Sequence, residues 1–287
     1  MASLRETLEA PIPRPLLWLG APILAFVLVL SFVFLGFPYE DLLPAASREL
    51  GKIAGGEARI GAIEPEITRG GPGFALREVS LVRDSGESFG LDHLKVRPAW
   101  STRWFQGEPA FFIDLMSSLA SLQGTYTLGK SPGFSGELAV PDMARLPLPT
   151  DDTISLAGAL EARGELVMDG GQPVGRIEFE AESGSATHPS LPMAIDFDFL
   201  RGQVAMGGEA WLTLDEIDMD GPIFSAKADG SVERPGGNRP AMLDIAVELQ
   251  VKNAPFRVLV SGLGIPIDRN GRTAFTLGGS LHNPTLR

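Results

Sequence analysis

The groups in this sequence that could do chemistry are mostly carboxylates at short spacing. Glu216-Ile217-Asp218-Met219-Asp220-Gly221 opens like a calcium-binding loop. An EF-hand needs Asp at its first position and a bidentate Glu at its twelfth. Here those positions hold Glu216 and Lys227, and the flanks are strand-like. The run therefore reads as the acidic outer face of a strand, with weak surface calcium binding left open. Gly133-Phe134-Ser135-Gly136 stops one residue short of a nucleophile elbow and continues to Glu137. The three histidines, His93, His188 and His282, are far apart and show no H-x-x-x-H spacing. There is no cysteine, which excludes disulfides, thiolate metal sites, Fe–S clusters and cysteine nucleophiles. No Walker loop or dinucleotide fingerprint is present. The chain is expected to be non-enzymatic, with no cofactor and no metal.

The remaining carboxylates alternate with apolar residues, and that alternation describes the elements that carry them. Ile177, Phe179 and Ala181 alternate with Glu178, Glu180 and Glu182. Ile195, Phe197 and Phe199 alternate with Asp196 and Asp198, and Ile245, Val247, Leu249 and Val251 with Asp244, Glu248 and Gln250. Ile154, Leu156 and Leu160 run opposite Ser155, Glu161 and Arg163, and Phe275 and Leu277 opposite Thr276. Successive strand side chains point to opposite faces, so each segment has one apolar and one solvated side. That pattern belongs to antiparallel sheets with one face in water. Paired carboxylates on such faces give no glycosidase signal above background.

Of the 287 residues, 34 are Gly and 23 are Pro. Together they make a fifth of the chain, against an average of about 12%, which favours turns and short strands. Asp169-Gly170-Gly171, Gly236-Gly237-Asn238 and Asn270-Gly271 sit between apolar-alternating runs and predict hairpin turns. The expected fold is mainly β: a curved antiparallel meander of about ten to twelve strands with one or two short helices. The net charge of −12 argues against a sequence-independent nucleic-acid binder.

Leu16 to Phe37 contains no charged residue. As a helix it would span roughly 33 Å, enough for a hydrocarbon core. A single transmembrane helix is expected over 16–37, anchored by Leu16, Trp18, Phe26, Phe34 and Phe37. It is longer than a secretory h-region, and no small-x-small cleavage site follows closely. Arg5 and Arg14 precede it, whereas Glu40 and Asp41 follow. The positive-inside rule then puts residues 1–15 in the cytoplasm and residues 38–287 outside it. The lipid bilayer is thus the first expected partner.

Apolar residues at helical steps predict a short helix over Tyr39 to Ile53, ended by Gly55-Gly56. Pro109 to Leu122 carries helical spacing at Phe111, Phe112, Leu115, Leu119 and Leu122, yet Phe112-Ile113-Asp114-Leu115 equally opens a strand. The Pro-rich stretch Pro141 to Pro149 is a hinge or crossover candidate. The apolar phase shifts by one residue within Phe74–Val82 and within Trp211–Gly221, so each should hold a bulge or bend.

An apolar sheet face of this size has to be covered. Three solutions remain: two sheets packed as a sandwich, a partner protein, or a curled taco-like sheet holding lipid tails. In the last case Phe179, Phe197, Phe199 and Leu249 are the candidate lining of the apolar groove.

Several segments together resemble a known group. They are the charge-free span with its short helix, Glu57-Ala58-Arg59-Ile60-Gly61-Ala62-Ile63-Glu64, and Gly73-Phe74-Ala75-Leu76-Arg77-Glu78-Val79-Ser80-Leu81. Leu91-Asp92-His93-Leu94-Lys95-Val96-Arg97-Pro98 follows, and Gly278-Gly279-Ser280-Leu281-His282-Asn283-Pro284 comes near the end. The chain resembles the AsmA-like superfamily of inner-membrane-anchored periplasmic proteins, whose repeats often end in G-x-L-x-x-P. Within it, the modest length and single block of strands resemble the type II secretion system protein N (GspN) group. The resemblance implies an accessory inner-membrane component of the general secretion pathway, with a periplasmic sheet that docks secretion-machine subunits. Its alternative implication is a lipid-binding or lipid-transfer protein that holds phospholipid in an apolar sheet groove.

Overall fold

The computed structural model describes residues 24–25, 28–29, 32, 34, 36–54, 56–68, 70–83, 88–145, 155–187, 194–208, 210–233, 241–262, 266–280 and 283–286. The chain is mainly β, with few helices. A 3-10 turn at Tyr39–Leu42 runs into α1 (Leu43–Ala54), and α2 (Ala254–Gly262) lies late in the chain. No helix among the described residues is long and apolar enough to cross a membrane. Most of the span expected at 16–37, including Leu16, Trp18 and Phe26, lies outside the described residues.

Among the described residues fifteen strands follow the 3-10 turn and α1. They are β1 (Gly56–Arg59), β2 (Ala62–Thr68), β3 (Gly71–Arg83), β4 (Ser88–Pro98) and β5 (Ala110–Met116). Next come β6 (Ser121–Thr127), β7 (Gly133–Val140), β8 (Ser155–Asp169), β9 (Gln172–Thr187) and β10 (Ile195–Met206). The series closes with β11 (Leu212–Asp220), β12 (Phe224–Val232), β13 (Met242–Val251), β14 (Arg272–Ser280) and β15 (Asn283–Leu286). All pair antiparallel in one sheet, each with its neighbour in sequence from β3 onward. The long β3 pairs β2 through Gly71–Arg77 and β1 through Ser80–Arg83, so β1 and β2 together make one edge.

Fifteen strands exceed the expected ten to twelve, because the sequence hides some of them. The helical spacing over Pro109–Leu122 is two strands, β5 and β6, read across their turn. Ser117 builds that turn: its hydroxyl accepts from the backbone N–H of Ala120 at 3.0 Å. The turn at Gly170-Gly171 is as expected, with φ of 56° and 80° closing Asp169 onto Gln172. Positive φ at both central residues gives a hairpin the twist of its strands.

Among the described residues three non-glycine residues have positive φ, and all lie inside strands: Glu78 (52°), Ser183 (49°) and Glu216 (52°). Glu78 and Glu216 fall within the two segments where the apolar phase shifts. At Glu216 the register slips against both neighbours, and its N–H donates to Asp229 Oδ1 at 2.8 Å. Ser183 is the third such point, where the pairing of β8 with β9 shifts between Ala157 and Ala159.

The Pro141–Pro149 stretch does not interrupt the sheet, since β7 and β8 on either side of it pair directly. Its first part folds back as a 3-10 turn at Met143–Arg145. Residues 146–149 lie outside the described residues. Met143 is buried with Val140, Ala181 and Phe197, and Leu156, Leu160 and Leu200 pack against that cluster.

Candidate functional site

Cross-strand partners point to the same face, so register shows what each face displays. One row runs Leu94, Leu115, Leu122, Leu138, Ala162, Phe179 from β4 to β9, each residue opposite the next. On the same face Ile217, Ala228, Val247 and Phe275 continue the row from β11 to β14. Between them, Gly202 on β10 opposes Phe179, and the Ile217 side chain leans over it. The row crosses eleven strands without one charged residue.

That face is half-covered. Among the described residues eleven hydrophobic side chains are buried, and of the large ones only Val79 and Val251 fall below 2% exposure. Phe179 and Leu249 remain partly accessible. Thr273, opposite Leu249, is buried with a hydroxyl that has no hydrogen-bond partner among the described residues.

The opposite face is charged. Its central row runs Lys95, Asp114, Gln123, Glu137, Arg163, Glu178, Gln203. Arg163 Nε donates to Glu178 Oε2 at 2.8 Å, and Gln203 donates to the other oxygen at 3.2 Å. The hydrogen bond and charge of Glu178 push the Arg163 guanidinium pKa up, and Glu64 does the same to Arg77 across 2.6 Å. Arg201 reaches Asp218 at 3.1 Å. An open depression of about 610 Å³ lies on this face, lined by Gln123, Glu137, Arg163, Glu178, Arg201 and Gln203 among others. Its basic groups, Arg163 and Arg201, are engaged by the carboxylates of Glu178 and Asp218. Among the described residues no group of three His, Cys, Asp or Glu is placed to hold a metal ion. Glu216 to Asp220 belong to β11, where the bulge replaces the tight loop an EF-hand requires.

Three of the four expected groove residues share the apolar face, and one does not. Phe179 stands in the middle of the row, Leu249 pairs with Ala226 and Thr273, and Phe197 is buried in the Met143 cluster. Phe199 is on the charged face. It opposes Glu182 and Asp220, and Arg201 lies over its ring at 5.2 Å from the centroid. The simple alternation of Ile195, Phe197 and Phe199 fails because the strand changes phase opposite Ser183. Of the described anchor residues, Phe34 lies against β3 and Phe37 against the 3-10 turn. Phe34 meets Phe74 at 5.4 Å, and Phe37 meets Tyr39 at 5.2 Å. Burial pushes the Tyr39 phenol pKa up, and its hydroxyl donates to the Phe34 carbonyl.

The cover that Met143 gives to Phe197 was not visible in the sequence. The row Leu94–Leu115–Leu122 was missed as well, although the alternation of Leu91 to Pro98 contained its first member. Comparison with family models, with curated proteins and with solved structures gave no match.

Proposed function

We propose that this chain is a membrane-tethered, AsmA-like accessory protein of type II secretion, without enzymatic activity. Its sheet works in the periplasm as a docking module for secretion-machine subunits. The observation that supports this is the unbroken apolar row from Leu94 to Phe275, on a sheet that buries so few side chains of its own. Such a face is a binding surface, because leaving it in water forgoes roughly 25 cal/mol for every Å². A second attachment point is the outer edge of β14. Among the described residues no strand pairs it from Thr273 to Thr276, which leaves room for strand addition.

The reach of the described sheet fits a docking component. Thirteen strand-to-strand steps at about 4.8 Å give about 60 Å. A sheet of that reach crosses an envelope compartment only when stacked on more sheet.

The test is removal of the chain from its host, followed by assay of an exported substrate and by co-purification with inner-membrane secretion components. Loss of export and recovery of such a partner are expected. Normal export with no partner recovered would overturn the reading.

A second reading is lipid carriage, favoured by the absence of charge along the row. Native mass spectrometry of the full chain would then find bound phospholipid, and Phe179→Asp would remove it. A folded wild type that carries no lipid ends this alternative.

A further inference from the structure

The exposed apolar side chains of the sheet are not spread evenly. Beyond residue 43, ten large hydrophobic residues stand exposed among the described residues. In a meander the turns alternate between two ends, and eight of these ten are at one end. They include Ile67 at the β2–β3 turn, Trp100 and Phe105 between β4 and β5, and Leu128 after β6. Trp211 precedes β11, and Met242 opens β13. The opposite end has Met116 and Val258. Phe105 is 95% exposed and Trp100 62%, although burial of either ring would be favourable. The positions are tied together in space: the Trp100 indole lies against Gly71 in the β2–β3 turn and stacks on Trp104 at 4.9 Å.

The N-terminal apolar segment reaches the sheet at this same end. Phe34 and Tyr39 both contact Phe74, each with ring centroids 5.4 Å away. Phe74 is three residues into β3 from the β2–β3 turn. A chain emerging from a bilayer at Phe37 therefore places this rim against the surface it has just left.

We propose that the rim is a membrane-contacting edge, with Trp100, Phe105 and Trp211 seated in the interface of the bilayer that holds residues 16–37. This takes from the proposed function only the membrane anchor, and it holds whether the sheet docks protein or lipid. Amphipathic aromatic rings are favoured at headgroup level. The rim carries charges of both signs, Arg103 and Lys130 against Glu108, Asp169 and Glu233, within a chain of net charge −12. Contact therefore comes from apolar insertion and not from attraction to anionic lipid. In this orientation the strands stand upright on the membrane, and the apolar face opens at its base toward acyl chains.

The absence of cysteine makes the test direct. Single variants Phe105→Cys, Val258→Cys and Leu24→Cys of the full chain are labelled with an environment-sensitive fluorophore. Each is reconstituted into phosphatidylethanolamine/phosphatidylglycerol vesicles containing a phospholipid spin-labelled either in the headgroup region, which reads positions 105 and 258, or deep in the acyl chain, which reads position 24. Position 105 should be quenched about threefold more than position 258, with a blue-shifted emission that added salt does not reverse, as for a ring at headgroup level. Quenching at 24 but not at 105 would overturn the rim proposal and leave the anchor standing. No quenching at either position would overturn both. Disulfide-linked dimers of unlabelled Phe105→Cys, without quenching of the labelled protein, would make the rim a contact between copies and also overturn it.

Discussion

Phe197 and Phe199 are two residues apart on one strand and lie on opposite faces of the sheet. Phe197 is 4% exposed in the cluster with Val140, Met143 and Ala181, whereas Phe199 sits beneath Arg201 on the charged side. The inversion comes from the pairing with β9. Phe197 opposes Gly184 and Phe199 opposes Glu182, and between them stands Ser183 with its left-handed backbone.

The two rings therefore predict different costs. Phe197→Ala should destabilise the protein by about 3 kcal/mol, as for a buried aromatic truncated to a cavity. Phe199→Ala should cost less than about 1 kcal/mol. Urea unfolding of both variants in the same detergent checks this, and equal losses would contradict the assigned faces.

Gly184 should tolerate no side chain. A Cβ there would come within 2.2 Å of Phe197 Cζ and 2.5 Å of the Ala157 carbonyl oxygen. Gly184→Ala is expected to cost about 1–3 kcal/mol by overpacking. Adding Phe197→Leu should not restore stability, because the second clash is with backbone. A double-mutant cycle measures this directly.

The β8–β9 turn predicts an effect of backbone alone. Nothing lies within 4 Å of a Cβ built at Gly170 or Gly171. Gly170→Asn should therefore be nearly neutral, since Asn accepts the left-handed region. Gly171→Val should cost about 1–2 kcal/mol. Thermal melts of the two variants distinguish them.

Thr273→Val should stabilise the protein by about 1 kcal/mol. The substitution keeps the shape and removes a buried hydroxyl that has no partner among the described residues. A lower melting temperature for this variant would mean that the hydroxyl is satisfied.

Much of the fold could be read locally. The alternation around Ile177–Glu182 and Asp244–Val251 specified strands, and Asp169-Gly170-Gly171 specified their hairpin. The phase shifts at Glu78 and Glu216 were legible because the apolar step there lengthens from two residues to three. The shift at Ser183 left no such mark, since the residues after it, Gly184, Ser185 and Ala186, are small and do not declare a face. Helical spacing over Pro109–Leu122 misled for a related reason: two strands read across a Ser117 turn mimic a period near 3.6.

By itself the sequence determined that each segment would be extended, with one apolar and one charged side. That information is carried by the two-residue period of the strand backbone. Only the tertiary structure decided that all the apolar sides form one row, that Phe199 stands outside it, and that the exposed rings collect at the end where the N-terminal segment arrives. The reason is geometric. Alternation fixes side-chain direction only while the backbone stays extended, and one residue at positive φ inverts everything beyond it. Which turns share an end depends on the order in which strands pair, and no single segment encodes that order.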